Sequence, residues 1–149
     1  MNLKKELYKF CEEFVNKRLQ TVEEVILSNQ KALQSETKSS AGDKHETGRA
    51  MLQLEMEKAS QQLEGITQMK ETLAKVNILK SAENICLGSV VFTEKVNYFL
   101  SISAGQLVIA DTTYYAVSVS SPIGKLLLGK KINDEFIFNK KKIMITEIN

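Results

Sequence analysis

The first 80 residues contain no proline, and their apolar residues recur at steps of three and four. That periodicity leaves little besides long amphipathic helices for this half of the chain. Leu3, Leu7, Phe10 and Phe14 step by 4, 3 and 4; after a slip of one residue, Leu19, Val22, Ile26, Asn29 and Leu33 step by 3, 4, 3 and 4. A second series, Leu52, Met56, Ala59, Leu63, Ile66, Lys70, Leu73 and Asn77, alternates 4 and 3 throughout. Both series read as coiled-coil seams, with polar Asn29, Lys70 and Asn77 tending to fix register at some cost in stability. Each segment holds roughly 30 residues, so each helix is expected to run ~45 Å at 1.5 Å per residue. About ten polar residues lie between the two, which suits an antiparallel hairpin within the chain. A coiled coil between copies is the alternative.

Composition removes several classes. Apolar residues at 43% and charged residues at 26% suit a folded chain in water. No apolar run approaches the ~20 residues of a membrane span, and the polar start Met1-Asn2-Leu3-Lys4-Lys5-Glu6 is unlike a signal peptide. Cys11 and Cys86 fall in different predicted elements, which suits a reduced, cytoplasmic chain. The net charge of +2 is spread over both halves and calls for no nucleic-acid groove. There is no Gly-rich phosphate loop, no Cys-x-x-Cys and no His-x-x-x-His, and the single histidine, His45, excludes a Cys-His-His condensing enzyme.

Near residue 81 the pattern changes. Leu87 to Phe92, Val96 to Ile102, Leu107 to Ala110 and Tyr114 to Val119 are short β-branched or aromatic runs separated by turn residues. Ser120-Ser121-Pro122 then has the form of a helix start, serine as cap and proline at the first helical position. Ile123 to Leu128 makes about two turns, with Gly129 as the C-terminal stop. Asn133-Asp134 forms a turn, and Phe136 to Phe138 with Ile143 to Ile148 reads as a final hairpin. The expectation is an α+β chain: a helical hairpin over 1–80, its tip at about 37–48, and a small antiparallel β-sheet domain with one short helix over 81–149.

The polar break holds Asp43 and Glu46. Asp-x-x-Glu is a capping-box pattern, Asp43 at the N-cap and Glu46 three residues on, and a helix N-terminus favours either carboxylate. The same pair, at the end of a rod, also has the chemistry to carry a metal ion into another protein's site. Mg²⁺ prefers oxygen ligands and often takes only one or two carboxylates, keeping waters and phosphate in its other positions. His45 reads as a solvated side chain. Glu36, Asp43 and Glu46 against Lys38, Lys44 and Arg49 leave the tip without net charge.

Two stretches resemble one family. The run Ser121-Pro122-Ile123-Gly124-Lys125-Leu126-Leu127-Leu128-Gly129-Lys130-Lys131, followed by Asn133-Asp134-Glu135, is similar to the C-terminal signature of the Gre transcript-cleavage factors of bacterial RNA polymerase. Gly42-Asp43-Lys44-His45-Glu46 is similar to that family's tip motif, Gly-Asp-x-x-Glu. The two stand in the family's order, so the resemblance spans nearly the whole chain. It implies an FKBP-like fold for the C-terminal domain, which would dock on RNA polymerase through Ser121, Pro122, Ile123, Gly124, Lys125, Gly129 and Lys130. It implies a monomer whose coiled coil enters the secondary channel toward the 3′ end of backtracked RNA. Asp43 and Glu46 would there share a Mg²⁺ with the polymerase, which cuts its own transcript; no free-standing enzymatic activity is implied.

The tip departs from the family where Lys44 replaces leucine and Thr47-Gly48-Arg49-Ala50 replaces an Asn-Ala-Glu-Tyr-like run. A channel occupant that inhibits or modulates transcription with little cleavage is therefore an alternative. Two further alternatives come from other classes. One is a coiled-coil adaptor. The other is a prolyl isomerase, with Tyr98, Phe99, Tyr114, Tyr115 and Phe136 lining a pocket. Lys140-Lys141-Lys142 reads as an exposed turn before the last strand.

Overall fold

The computed structural model describes the backbone of residues 2–38 and 42–149, and the side chains of 2–35 and 46–149. Two helices open the chain, α1 (Leu3–Lys38) and α2 (Gly42–Ala74). The break expected over 37–48 is therefore much shorter, because helix continues on both sides up to residues 39–41, which lie outside the described residues. Gly48 is itself helical; its penalty of about 1 kcal/mol is small against the packing of a 33-residue helix.

Contacts group the chain into two compact units, Val15–Met69 and Met1–Phe14 with Lys70–Asn149. The division falls inside both helices, because their outer turns pack with the sheet. The Tyr8 hydroxyl donates to the Leu73 carbonyl at 3.1 Å, and Cys11 Sγ lies 3.6 Å from Ser101 Oγ.

Within Val15–Met69, three residues connect two long helices of one compact unit, so the helices run antiparallel. Val15, Val22, Asn29, Ala59 and Ile66 are buried, with Leu19, Ile26, Leu33, Leu52, Met56 and Leu63 half-buried beside them. All but Val15 are positions of the expected seam, closed within one chain. The slip expected after Phe14 is absent. Burial along α1 instead follows Lys4, Leu7, Cys11, Val15, Leu19, Val22, Ile26, Asn29 and Leu33. Its three successive steps of four are a stutter, which locally relaxes a left-handed supercoil. Two seam assignments in α2 do not hold. Lys70 is exposed and Met69 is half-buried in its place, while Asn77 is exposed beyond the end of α2. Burial therefore takes two successive steps of three, Leu63 to Ile66 to Met69, which is a stammer in the heptad.

The other unit carries β1 (Val90–Thr93), β2 (Asn97–Ser101), β3 (Gly105–Ile109), β4 (Thr112–Ser118), α3 (Pro122–Leu127), β5 (Glu135–Phe138) and β6 (Lys141–Ile148). The sheet order is β3-β4-β2-β1-β6-β5. It is mixed rather than antiparallel: β2 and β4 pair in parallel, from Asn97 opposite Tyr114 to Ser101 opposite Ser118. Burial explains the choice. β2 is buried on both faces, and β4 offers Tyr114 and Ala116 to the interior, whereas β3 exposes Gly105, Gln106 and Val108. The more exposed strand therefore takes the edge, and the β3–β4 hairpin docks with β4 inward.

The β3–β4 and β5–β6 hairpin turns each have two left-handed residues, Ala110 (φ 49°) with Asp111 (φ 64°) and Asn139 (φ 51°) with Lys140 (φ 64°). Positive φ at both central positions is the type I′ geometry, whose twist matches that of paired strands. Lys140 thus lies in a turn as expected, but Lys141 and Lys142 belong to β6, where Lys142 pairs with Glu135 at 2.7 Å. On one face of the sheet Val91, Tyr98, Leu100, Phe136, Ile143 and Ile145 pack with Ile85 and with Ile123 and Leu127 of α3. Alternation along β2 sends Phe99 and Ser101 to the opposite face, where Cys11 of α1 meets Ser101.

Candidate functional site

Gly42 is the first residue of α2, so Asp43 and Glu46 both stand in its opening turns. Asp43 is thus inside the helix rather than at an extended N-cap. Residues three apart in a helix share a face, and a helix N-terminus favours carboxylates. The side chains of Asp43, Lys44 and His45 lie outside the described residues; Glu46 is exposed. Within Val15–Met69 these positions lie at the turn end, opposite the end where the chain enters and leaves. From Glu46 to Met69 the helix rises ~35 Å at 1.5 Å per residue. Two carboxylates are a hard, oxygen-only donor set that fits part of a Mg²⁺ shell and leaves most of it to others. Among the described residues, no group of three or more His, Cys, Asp or Glu side chains is placed to hold a metal ion.

The second region is α3 and the residues that cap it. Ser121 is the N-cap, with φ −70° and ψ 159°; its Oγ accepts from the Gly124 N–H at 3.1 Å and donates to the Ser118 carbonyl at 2.6 Å. Pro122 opens the helix, where a missing N–H costs nothing. Gly124 is required by space, since a Cβ there would stand 2.0 Å from the Ser118 carbonyl oxygen. Gly129, at φ 82°, turns the chain out of the helix, and its N–H donates to the Ile85 carbonyl at 2.8 Å. The Ser-Pro-x-Gly…Gly pattern is therefore a folding device that seats α3 against the end of β4.

Of the residues to which the family resemblance gives a docking role, Ile123 and Gly124 are buried and can only shape the surface from below. Pro122, Lys125 and Gly129 are exposed, Ser121 and Lys130 partly so, and Leu128 adds an apolar side chain that is 41% exposed. A partner would thus meet a small apolar surface edged by lysines.

The aromatic residues expected to line a proline pocket do something else. Tyr98, Phe99, Tyr114 and Phe136 are buried, and Tyr115 is half-buried, so four of the five rings are packed in the core rather than lining an open pocket. Tyr98 and Tyr115 pack at 6.4 Å between centroids, and Phe92 meets Tyr114 edge-on at 6.3 Å. Burial pushes the Tyr98 and Tyr114 hydroxyl pKa values up, the neighbouring Tyr115 adding to the first. No helix among the described residues is long and apolar enough to cross a membrane.

No family model and no curated protein matches this chain. Among solved structures, one described as the transcription factor Gfh1 is 20% identical; the alignment covers 95% of this chain and 92% of that one, at a TM-score of 0.35. Another, the GreA factor homolog 1 (Gfh1) of Thermus thermophilus, is 18% identical over 95% of this chain and 94% of that one, also at 0.35. Likenesses at that identity and TM-score do not assign a function.

Proposed function

We propose that this chain is a Gre-like factor that acts through RNA polymerase. The helical hairpin enters the secondary channel, and α3 with its flanks docks outside. One observation carries the reading: a Gly-Asp-x-x-Glu motif at the turn end of a hairpin closed on itself, followed by the Ser121–Lys131 motif folded as a helix with exposed Pro122 and Lys125. Mg²⁺, held jointly with the polymerase, would stabilise the attacking or leaving oxygen of phosphodiester hydrolysis. The contribution of this chain is positional. Asp43 and Glu46 supply oxygen ligands at the end of a helix stiff enough to bring them ~35 Å from where the chain leaves the hairpin. The chain needs no catalytic centre of its own for this role.

The test uses stalled, backtracked elongation complexes with Mg²⁺ and follows RNA length. The chain should accelerate shortening, and Asp43→Ala or Glu46→Ala should remove most of the acceleration while leaving polymerase binding intact. Absence of polymerase binding would refute the proposal. A second reading is favoured by Lys44 and by Thr47 to Ala50: a channel occupant that slows nucleotide addition without shortening RNA. Binding with unchanged RNA length selects it.

A further inference from the structure

The sheet-bearing unit contains a cavity of about 250 Å³ that none of the roles above uses. Its lining includes Lys4, Lys75, Asn77, Lys80, Cys86 and Ser89, and no acidic side chain. Lys4 decides its character. This lysine is only 5% exposed, and its ammonium donates to the Lys80 carbonyl at 2.6 Å. An ammonium has three donors, so that single described bond leaves capacity for an anion. Buried cations are ordinarily paired with carboxylates. Here burial lowers the Lys4 pKa, and what opposes the shift is the Cys86 thiol rather than an Asp or Glu. The cavity adds two more lysines, Lys75 and Lys80, both exposed.

Part of the lining is a hydrogen-bonded turn. Gly88, at φ 91°, closes a tight turn in which the Ser89 N–H donates to the Cys86 carbonyl and the Cys86 N–H donates to Ser89 Oγ, both at 3.0 Å. A water occupies about 30 Å³ in the liquid, so the cavity has room for a multi-atom anion rather than a single halide. A lysine that served only to tie α1 to the 75–80 segment would need neither the space nor two further cations.

We propose that this cavity binds a compact phosphate anion, with Lys4 as the buried anchor and Lys75 and Lys80 as charge on its exposed side. The anion can be inorganic phosphate, pyrophosphate or the phosphate end of a nucleotide. This stands apart from any action on RNA polymerase, and its test involves none.

The full chain, labelled with ¹⁵N, is titrated with pyrophosphate, and then with inorganic phosphate, adenosine triphosphate and sulfate. Saturable shifts are expected at the Gly88 and Ser89 amides. The double variant Lys75→Gln/Lys80→Gln changes exposed side chains and should keep the native tyrosine near-UV signal while weakening affinity about tenfold or more. Lys4→Met should abolish binding. Tighter binding of adenosine triphosphate than of pyrophosphate would make a nucleotide the source; equal binding would make it the phosphate groups alone, and either supports the site. The proposal fails if no shift saturates at millimolar ligand. It also fails if shifts concentrate at Lys140–Lys142, if sulfate binds as tightly as pyrophosphate, or if the double variant keeps its affinity.

Discussion

Replacing Gly124 with alanine sets two effects of known size against each other. Alanine is favoured over glycine inside a helix by about 1 kcal/mol, so on propensity the variant would be more stable. Space argues the other way. The new methyl would stand 2.0 Å from the Ser118 carbonyl oxygen and 3.0 Å from its carbonyl carbon. That oxygen is fixed by two donors, the Ser121 N–H at 3.1 Å and the Ser121 hydroxyl at 2.6 Å. The helix must therefore move instead. Moving it breaks the cap between Ser121 Oγ and the Gly124 N–H, which is worth about 1 kcal/mol, and shifts Ile123 and Leu127 off the core at an overpacking cost of about 1–3 kcal/mol. The net is a destabilisation of about 2 kcal/mol, or a fall in Tm on the order of 5–10 °C.

The assay follows from where the aromatic residues lie. The chain has no tryptophan, and Tyr8, Tyr98, Tyr114 and Tyr115 all belong to the sheet-bearing unit, while Val15–Met69 contains no aromatic residue. Near-UV circular dichroism during a urea titration therefore reports that unit alone. Lys125→Ala, exposed on the same helix, is the control and should stay within about 0.5 kcal/mol. A Gly124→Ala midpoint equal to or above that of the parent chain would refute the close-approach reasoning.

Three further outcomes are expected. Burial raises the Cys11 thiol from 9.0 to about 11, with a weaker opposing influence from its Ser101 contact. The folded state thus keeps a proton that the unfolded chain releases. Stability from this group is constant below about pH 9 and falls by about 2–3 kcal/mol as pH rises to about 11. Urea midpoints for the parent and Cys11→Ala should converge over that window; parallel pH profiles would contradict the assignment. Asn29 is buried, and its Nδ2 has no hydrogen-bond partner among the described residues, so Asn29→Leu should raise the melting temperature of the helical far-UV signal by removing about 1–3 kcal/mol of desolvation. Light scattering should then show some self-association as the register constraint is lost, and a lower melting temperature would count against this account. In the native chain Cys86, half-buried, should react with a thiol reagent well before Cys11, which is fully buried; equal rates would mean that α1 does not stay packed on Ser101.

Much of the fold was legible because it rests on local signals. The seam residues Val22, Asn29, Ala59 and Ile66 repeat with helical spacing, and Ser121-Pro122 and Gly129 mark the two ends of α3 by cap chemistry. What stayed hidden depended on tertiary neighbours. The β3–β4 and β5–β6 turns carry Ala110, Asp111 and Lys140 at positive φ, where sequence rules look for glycine. The parallel β2–β4 pairing follows from a contest for the interior that no single strand reveals. Lys70 fitted the heptad, yet the burial steps from Ile66 to Met69, a stammer that the spacing of apolar residues did not mark. Lys4 gave no signal: a lysine in an opening helical turn reads as solvated, and only the segment from Lys75 to Ser89, lying against it, buries it. The tip is the opposite case, since Asp43 and Glu46 stand out in the sequence while their chemistry depends on a partner.

The sheet-bearing unit draws on two separate stretches of the chain, Met1–Phe14 and Lys70–Asn149, and the residues between them form the helical hairpin. Its central β1 pairs with β6, and Val90 and Asn149 exchange backbone bonds at 2.9 Å in both directions. During synthesis the hairpin can therefore form as soon as residue 69 has emerged, whereas Leu7 and Cys11 must wait for strands made much later. Domains generally fold as units while the chain is being made, and exposed apolar surface in such intermediates invites aggregation. Chains arrested before residue 141 should accordingly have helix but no tyrosine near-UV signal, and should be the species that chaperones hold; a native tyrosine signal in them would refute this order of assembly.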